Sequence, residues 1–155
     1  MNIQYTSRSS NGKIGNVPQA FMGDNYEETK LSCHGCEEYN AERPGKSRCY
    51  SHSGTGMLSA HSVFRAKEKG KRYDLKTALS KATRSAKMVR FTAIGDPSAA
   101  IPSVILSHFD KVRAAGLDVV GYTHMWRDSP HLAGHLMASC DSPVASPYRW
   151  WCATV

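Results

Sequence analysis

The fold is decided between residues 88 and 123, MVRFTAIGDPSAAIPSVILSHFDKVRAAGLDVVGYT. Met88-Val89-Arg90-Phe91-Thr92-Ala93-Ile94 is a short, mostly apolar run rich in β-branched and aromatic residues, which reads as a buried strand. Pro102 near the start and Gly116 past the end bracket a helix over 102–115, because Pro is tolerated in a first turn and Gly at a stop. Leu117-Asp118-Val119-Val120-Gly121-Tyr122-Thr123 is then a second strand. Beyond it a short helix begins near Pro130, capped by Asp128 or Ser129, and Leu136-Met137-Ala138-Ser139 is a third strand. Strand, helix, strand, helix, strand predicts parallel neighbours joined by right-handed crossovers, with all carboxyl ends on one edge. The fold class expected is α/β, a small parallel β/α domain built as a partial barrel or as three layers, with an N-terminal cysteine-rich metal knuckle.

Working outward toward the N-terminus, Asp74 caps a helix predicted over Leu75 to Lys87, with Leu75, Ala78, Leu79, Ala82 and Ala86 at helical spacing. Another helix is predicted from Met57 to Lys69, with Thr55 as its cap and Gly70 as its stop. Residues 1–32 are polar, with two edge-strand candidates at Ile3 to Thr6 and Val17 to Met22. The tail from Ser142 to Val155 reads as loop, its indoles Trp150 and Trp151 packing on the body. The organisation expected is an N-terminal segment with the knuckle over 1–56 and a β/α domain over 57–155, forming one compact unit.

Hydrophobic residues make up 41% of the 155 positions and charged residues 21%, ordinary values for a folded domain. The N-terminus lacks the basic start and apolar stretch of a secretion signal, and no run of about 18 apolar residues occurs. A cytoplasmic location and no membrane contact are expected, in host cytoplasm if the protein is phage-encoded. Thiols stay reduced there, and five cysteines is an odd number, so metal binding outranks a disulfide framework.

Cys33-His34-Gly35-Cys36 and Cys49-Tyr50-Ser51-His52 give C-x2-C, twelve residues, then C-x2-H. Two thiolates two residues apart grip one ion when a tight turn, eased here by Gly35, points both sulfurs inward, and the second pair closes a tetrahedron. The expected cofactor is zinc on Cys33, Cys36, Cys49 and His52. If His52 is not a ligand, Cys140 or Cys152 supplies the fourth position and an iron-sulfur cluster becomes as plausible as zinc. At the strand ends lie Gly95-Asp96-Pro97, Tyr122-Thr123-His124 and Ser139-Cys140-Asp141. Parallel neighbours would bring Asp96, His124, Cys140 and Asp141 to one edge, where Asp96, His124 and Asp141 are candidates for acid/base work.

The formal charge is +7, and between Arg65 and Arg90 ten Lys or Arg face two acids. Lys67, Lys69, Lys71, Arg72, Lys76, Lys81, Arg84 and Lys87 could follow a phosphate backbone, so nucleic acid or a host protein is the alternative partner class. Only Tyr73 interleaves an aromatic ring, and solvated helix faces read the same way. Met125-Trp126-Arg127 offers an indole beside a cation for stacking on a flat ligand, or a core residue.

A cysteine cluster ending in Cys49-Tyr50, strands ending in Ile94-Gly95-Asp96 and Gly121-Tyr122-Thr123, and Ser139-Cys140-Asp141 on the next together resemble the phage and plasmid proteins grouped with mycobacteriophage gene product 88, over roughly residues 31–142. The resemblance implies a phage or mobile-element origin, a partial barrel reminiscent of radical enzymes with an iron-sulfur cluster, and no established activity. Two departures set this chain apart. It ends at Cys152-Ala153-Thr154-Val155 without a further cysteine group, and it lacks the C-x3-C-x2-C spacing of radical enzymes.

Overall fold

The structure is a computed structural model that describes residues 1–9, 14–33, 35–36, 38–39, 49, 54–69, 73–140 and 152–154, with backbone only at 54–57, 59–60, 92, 140 and 152–154. Among the described residues seven strands and four helices follow in the order β1 (Ile3–Thr6), β2 (Gln19–Met22), α1 (Tyr26–Ser32), α2 (Gly54–Glu68), α3 (Leu75–Ser80), β3 (Met88–Ile94), α4 (Pro102–Ala114), β4 (Asp118–Val120), β5 (Tyr122–Thr123), β6 (Met137–Cys140) and β7 (Cys152–Thr154). Single 3-10 turns sit at Pro97–Ala99 and Pro130–Leu132.

The chain is mixed α/β with mostly parallel pairing. One sheet has the order β1-β2-β3-β4 and the other β5-β6-β7. β1 runs antiparallel to β2, while β2, β3 and β4 are parallel, as are β5, β6 and β7. Gly121 divides the expected 117–123 strand in two, so its first half pairs with β3 and its second with β6. The Gly121 carbonyl accepts from Met137 N at 2.9 Å, which extends the pairing with β6 by one residue.

Burial follows from side-chain period. On β3 the alternate residues Val89 and Phe91 are fully buried, and α4 lays Ile105, Phe109 and Val112 against them at spacings of four and three. Phe91 and Phe109 meet edge to face at 4.8 Å. A second cluster joins Phe21, Ala93 and Ile94 of the strands to Val63 and Phe64, which seats α2. A second tie on α2 is Lys67, whose ammonium pairs with Asp24, a carboxylate that also accepts from Asn2 and Gln4.

Several expectations are corrected. β2 is an interior strand with all four residues buried, not an edge, and it begins at Gln19 rather than Val17. α2 starts at Gly54, which puts Thr55 inside the helix instead of at its cap. Asp74 does cap α3, accepting from Thr77 N at 2.6 Å, but the helix ends at Ser80 and not at Lys87. Turns from Lys81 onward bury Ala86 and return the chain to the start of β3. The tail supplies β7, parallel to β6, where loop was expected, and Trp150 and Trp151 lie outside the described residues. α1 was not anticipated at all.

Tyr5 on β1 is fully buried, and its hydroxyl is hydrogen-bonded to Nδ1 of His108 on α4 at 2.6 Å. Burial, with Lys111 nearby, holds His108 below its usual range, and burial together with Arg113 does the same for His135, whose Nδ1 accepts from Arg113. Groups whose folded-state pKa is depressed bind protons more readily when unfolded, so their stabilisation is present above about pH 6.5 and is lost as pH falls below it. The urea midpoint should drop between about pH 7.5 and about pH 5.5. His108→Gln should make that drop smaller, and equal midpoints at both pH values in the unmodified chain would contradict the assignment.

Candidate functional site at the carboxyl edge of the sheet

β3 ends in Gly95-Asp96, and two constraints select glycine at 95. Its φ is +83°, and a Cβ there would stand 2.6 Å from Ser32 Oγ and 2.7 Å from Met22 Cβ. Only a bare Cα lets the end of α1 close on the end of β3. Asp96, 5% exposed, then turns inward and takes three donors. Oδ1 accepts from Ser98 N at 3.0 Å and from the Thr123 hydroxyl at 2.7 Å, and Oδ2 accepts from His124 N at 2.9 Å. The Thr123 oxygen in turn accepts from Met125 N at 3.0 Å. A carboxylate held this way fixes the ends of β3 and β5 relative to each other. Its position is that of an anchor.

The link to the cysteines passes through Ser32. Its hydroxyl donates to the Thr29 carbonyl at 2.7 Å, accepts from Asp96 N at 3.1 Å and stands 3.8 Å from Cys33 Sγ. Cys33 closes α1, Cys36 N bonds the Cys33 carbonyl at 2.9 Å, and Tyr39 N bonds the Cys36 carbonyl at 3.0 Å. This is a tight turn whose amides at Glu38 and Tyr39 also donate toward the Cys36 sulfur. Gly35 packs against the Met125 thioether so closely that a Cβ would stand 2.9 Å from its sulfur. Cys49 returns to the turn through a bond from its amide to the Glu38 carbonyl at 3.1 Å.

Cys33, Cys36 and Cys49 are not in disulfides, and Cys33 and Cys36 are buried. Burial pushes the Cys33 thiol up to about 12; the Ser32 hydroxyl opposes this, and negative charge on Cys49, Asp96 or Cys36 would raise it further. Burial raises Cys36 as well, against the pull of the two amides. These sulfurs are therefore neutral at pH 7 without an ion and are poor nucleophiles. Among the described residues, no group of three His, Cys, Asp or Glu side chains stands ready to hold a metal. His52 and Asp141 lie outside the described residues, and Cys140 and Cys152 are described by backbone only.

His124 is half-buried beside the ring of Tyr122, and its Nε2 lies 3.0 Å from Ser139 Oγ. The register explains the pairing, since Thr123 opposes Ala138 across parallel strands and the next residues are His124 and Ser139. Sequence reasoning quoted Ser139 without giving it a role, although strand register alone could have found it. Of the two readings of Trp126 the core one holds: it is 5% exposed in the main cluster, with the Arg127 guanidinium 4.3 Å from its ring, so it offers no open face for stacking. On the basic segment Lys69, Lys76, Lys81, Arg84 and Lys87 are exposed, while Lys71 and Arg72 lie outside the described residues.

Comparison with protein families, curated proteins and solved structures finds no match. Among the described residues no helix is long and apolar enough to cross a membrane.

Asp96→Ala would strand the Thr123 hydroxyl and the amides of Ser98 and His124. A cost of about 3 kcal/mol is expected, since bonds to a charged, buried acceptor are worth about 1.5 to 3 kcal/mol each and water recovers part of the loss. Chemical denaturation reads it, and a change below about 1 kcal/mol would show that Asp96 is not the anchor described.

Proposed function

We propose that the protein is a phage-type metal-binding protein in which Cys33, Cys36, Cys49 and His52 hold a zinc ion that fixes the cysteine segment against the carboxyl edge of the sheet. One observation carries the reading. The C-x2-C turn closes through Cys36 N on the Cys33 carbonyl and Tyr39 N on the Cys36 carbonyl, Cys49 returns to it through the Glu38 carbonyl, and it is clamped to the edge at Ser32–Asp96 and at Gly35–Met125. Soft sulfur donors on a tight turn suit Zn²⁺. Neutral thiols have no mutual attraction to close them into a tetrahedron, so an ion that replaces their protons would supply the closure. The ion's part is structural.

Elemental analysis of the purified full chain should find about one zinc per molecule. Cys33→Ser and Cys36→Ser should each remove it and lower the unfolding midpoint. A folded chain without metal, whose three thiols react with a maleimide equally fast with and without added zinc, would overturn the reading. Iron with acid-labile sulfide and a brown colour would replace zinc by a cluster.

A further inference from the structure

At the same edge stands a pair that the metal reading does not use. Ser139, next to last in β6, places Oγ 3.0 Å from His124 Nε2, within the reach expected of a hydroxyl nucleophile and its base. The two residues sit at the carboxyl ends of adjacent parallel strands, β6 and β5, the place where such sheets assemble reactive groups. Their mutual position is held from behind. Asp96 fixes the His124 amide and the Thr123 hydroxyl, Thr123 fixes Met125, and the Tyr122 ring stands edge-on to the imidazole at 5.7 Å. Ser139 is 9% exposed while His124 is half-buried, so the hydroxyl is shielded and the imidazole is open to solvent on one side.

We infer that Ser139 and His124 form a nucleophile and base acting on activated acyl compounds, with carboxylic esters as the substrate class. Ser139 Oγ adds to the carbonyl carbon as its proton passes to His124 Nε2. Collapse of the adduct breaks the ester C–O bond and hands that proton to the departing alcohol. Water, giving up a proton to the same nitrogen, adds to the acyl group; the carboxylic acid leaves, and the proton returns to Ser139. Asp96 is a positioning residue here, acting through the backbone of His124. The thiols of the knuckle take no part.

In the protein treated with a fluorophosphonate, Ser139 Oγ should bond to phosphorus and release fluoride from the probe to solvent, leaving one phosphonyl group on Ser139, mapped by peptide mass spectrometry. Ser139→Ala should carry none. His124→Gln, which retains a hydrogen-bonding side chain without a base, should slow labelling about 100-fold while keeping its thermal midpoint. Should Ser139→Ala fail to fold, the mapped position in the unmodified chain decides alone. A folded protein left unlabelled at Ser139, or His124→Gln labelled at the original rate, would overturn the proposal.

Discussion

A carboxylate almost removed from water must be given donors, and Asp96 obtains them from two stretches of chain. Its own turn supplies Ser98 N, and the end of β5 supplies the Thr123 hydroxyl and His124 N, while its backbone amide donates to the Ser32 hydroxyl at the end of α1. Hydrophobic packing of Phe91 on Phe109 can bring a helix onto a sheet, but it is non-directional and would tolerate sliding along the strand. Hydrogen bonds to a single buried carboxylate do not tolerate sliding. The register of the carboxyl edge therefore rests on this one group, and the backbone on either side of it is held to hydrogen-bond precision.

One glycine makes the arrangement possible. Gly95 clears the space in which Ser32 reaches the Asp96 amide, and Gly35 lies against the end of the Met125 side chain. The cysteine turn thus meets the sheet at two points, one on the loop after β3 and one on the loop after β5. Sites in parallel sheets gather at that edge because every strand delivers its following loop there. Here the loops deliver thiols on one side of Asp96 and an imidazole with a hydroxyl on the other.

Much of this was legible from residue pattern. Met88 to Ile94 and the 102–114 helix show their character because Val89, Phe91, Ile105, Phe109 and Val112 repeat at strand and helix spacing. The unforeseen helix α1 buries Thr29 and Ser32 and exposes Leu31, the reverse of what hydrophobic periodicity detects. Its readable signal was the cap, with Asn25 Oδ1 accepting from Glu28 N and the Glu28 carboxylate reaching back to Asp24 N. β7 is three residues long, Cys-Ala-Thr, and no local pattern distinguishes such a piece from loop. Asp96 and His124 were identifiable as strand-end residues, but the role of Asp96 was not, since three donors on one carboxylate are a property of the closed fold. Ser139 was quoted as part of a motif, and its partner became visible only with the register.

The two halves of the edge differ in readiness for chemistry, and the difference follows from burial. Cys33 and Cys36 are raised by loss of water around the sulfur, the larger influence on each, so the thiolates that would attack a substrate are scarce unless an ion replaces their protons. Once an ion does so, their electron pairs are committed to it. Either way the sulfurs are withdrawn from nucleophilic work. A hydroxyl has no such dependence on prior ionisation, because a base at hydrogen-bond distance removes its proton during attack. Ser139 has that base in His124, and His124 has its backbone fixed by Asp96. Asp96 therefore serves both sides: its amide braces the cysteine turn through Ser32, and its carboxylate holds the His124 backbone beside Ser139.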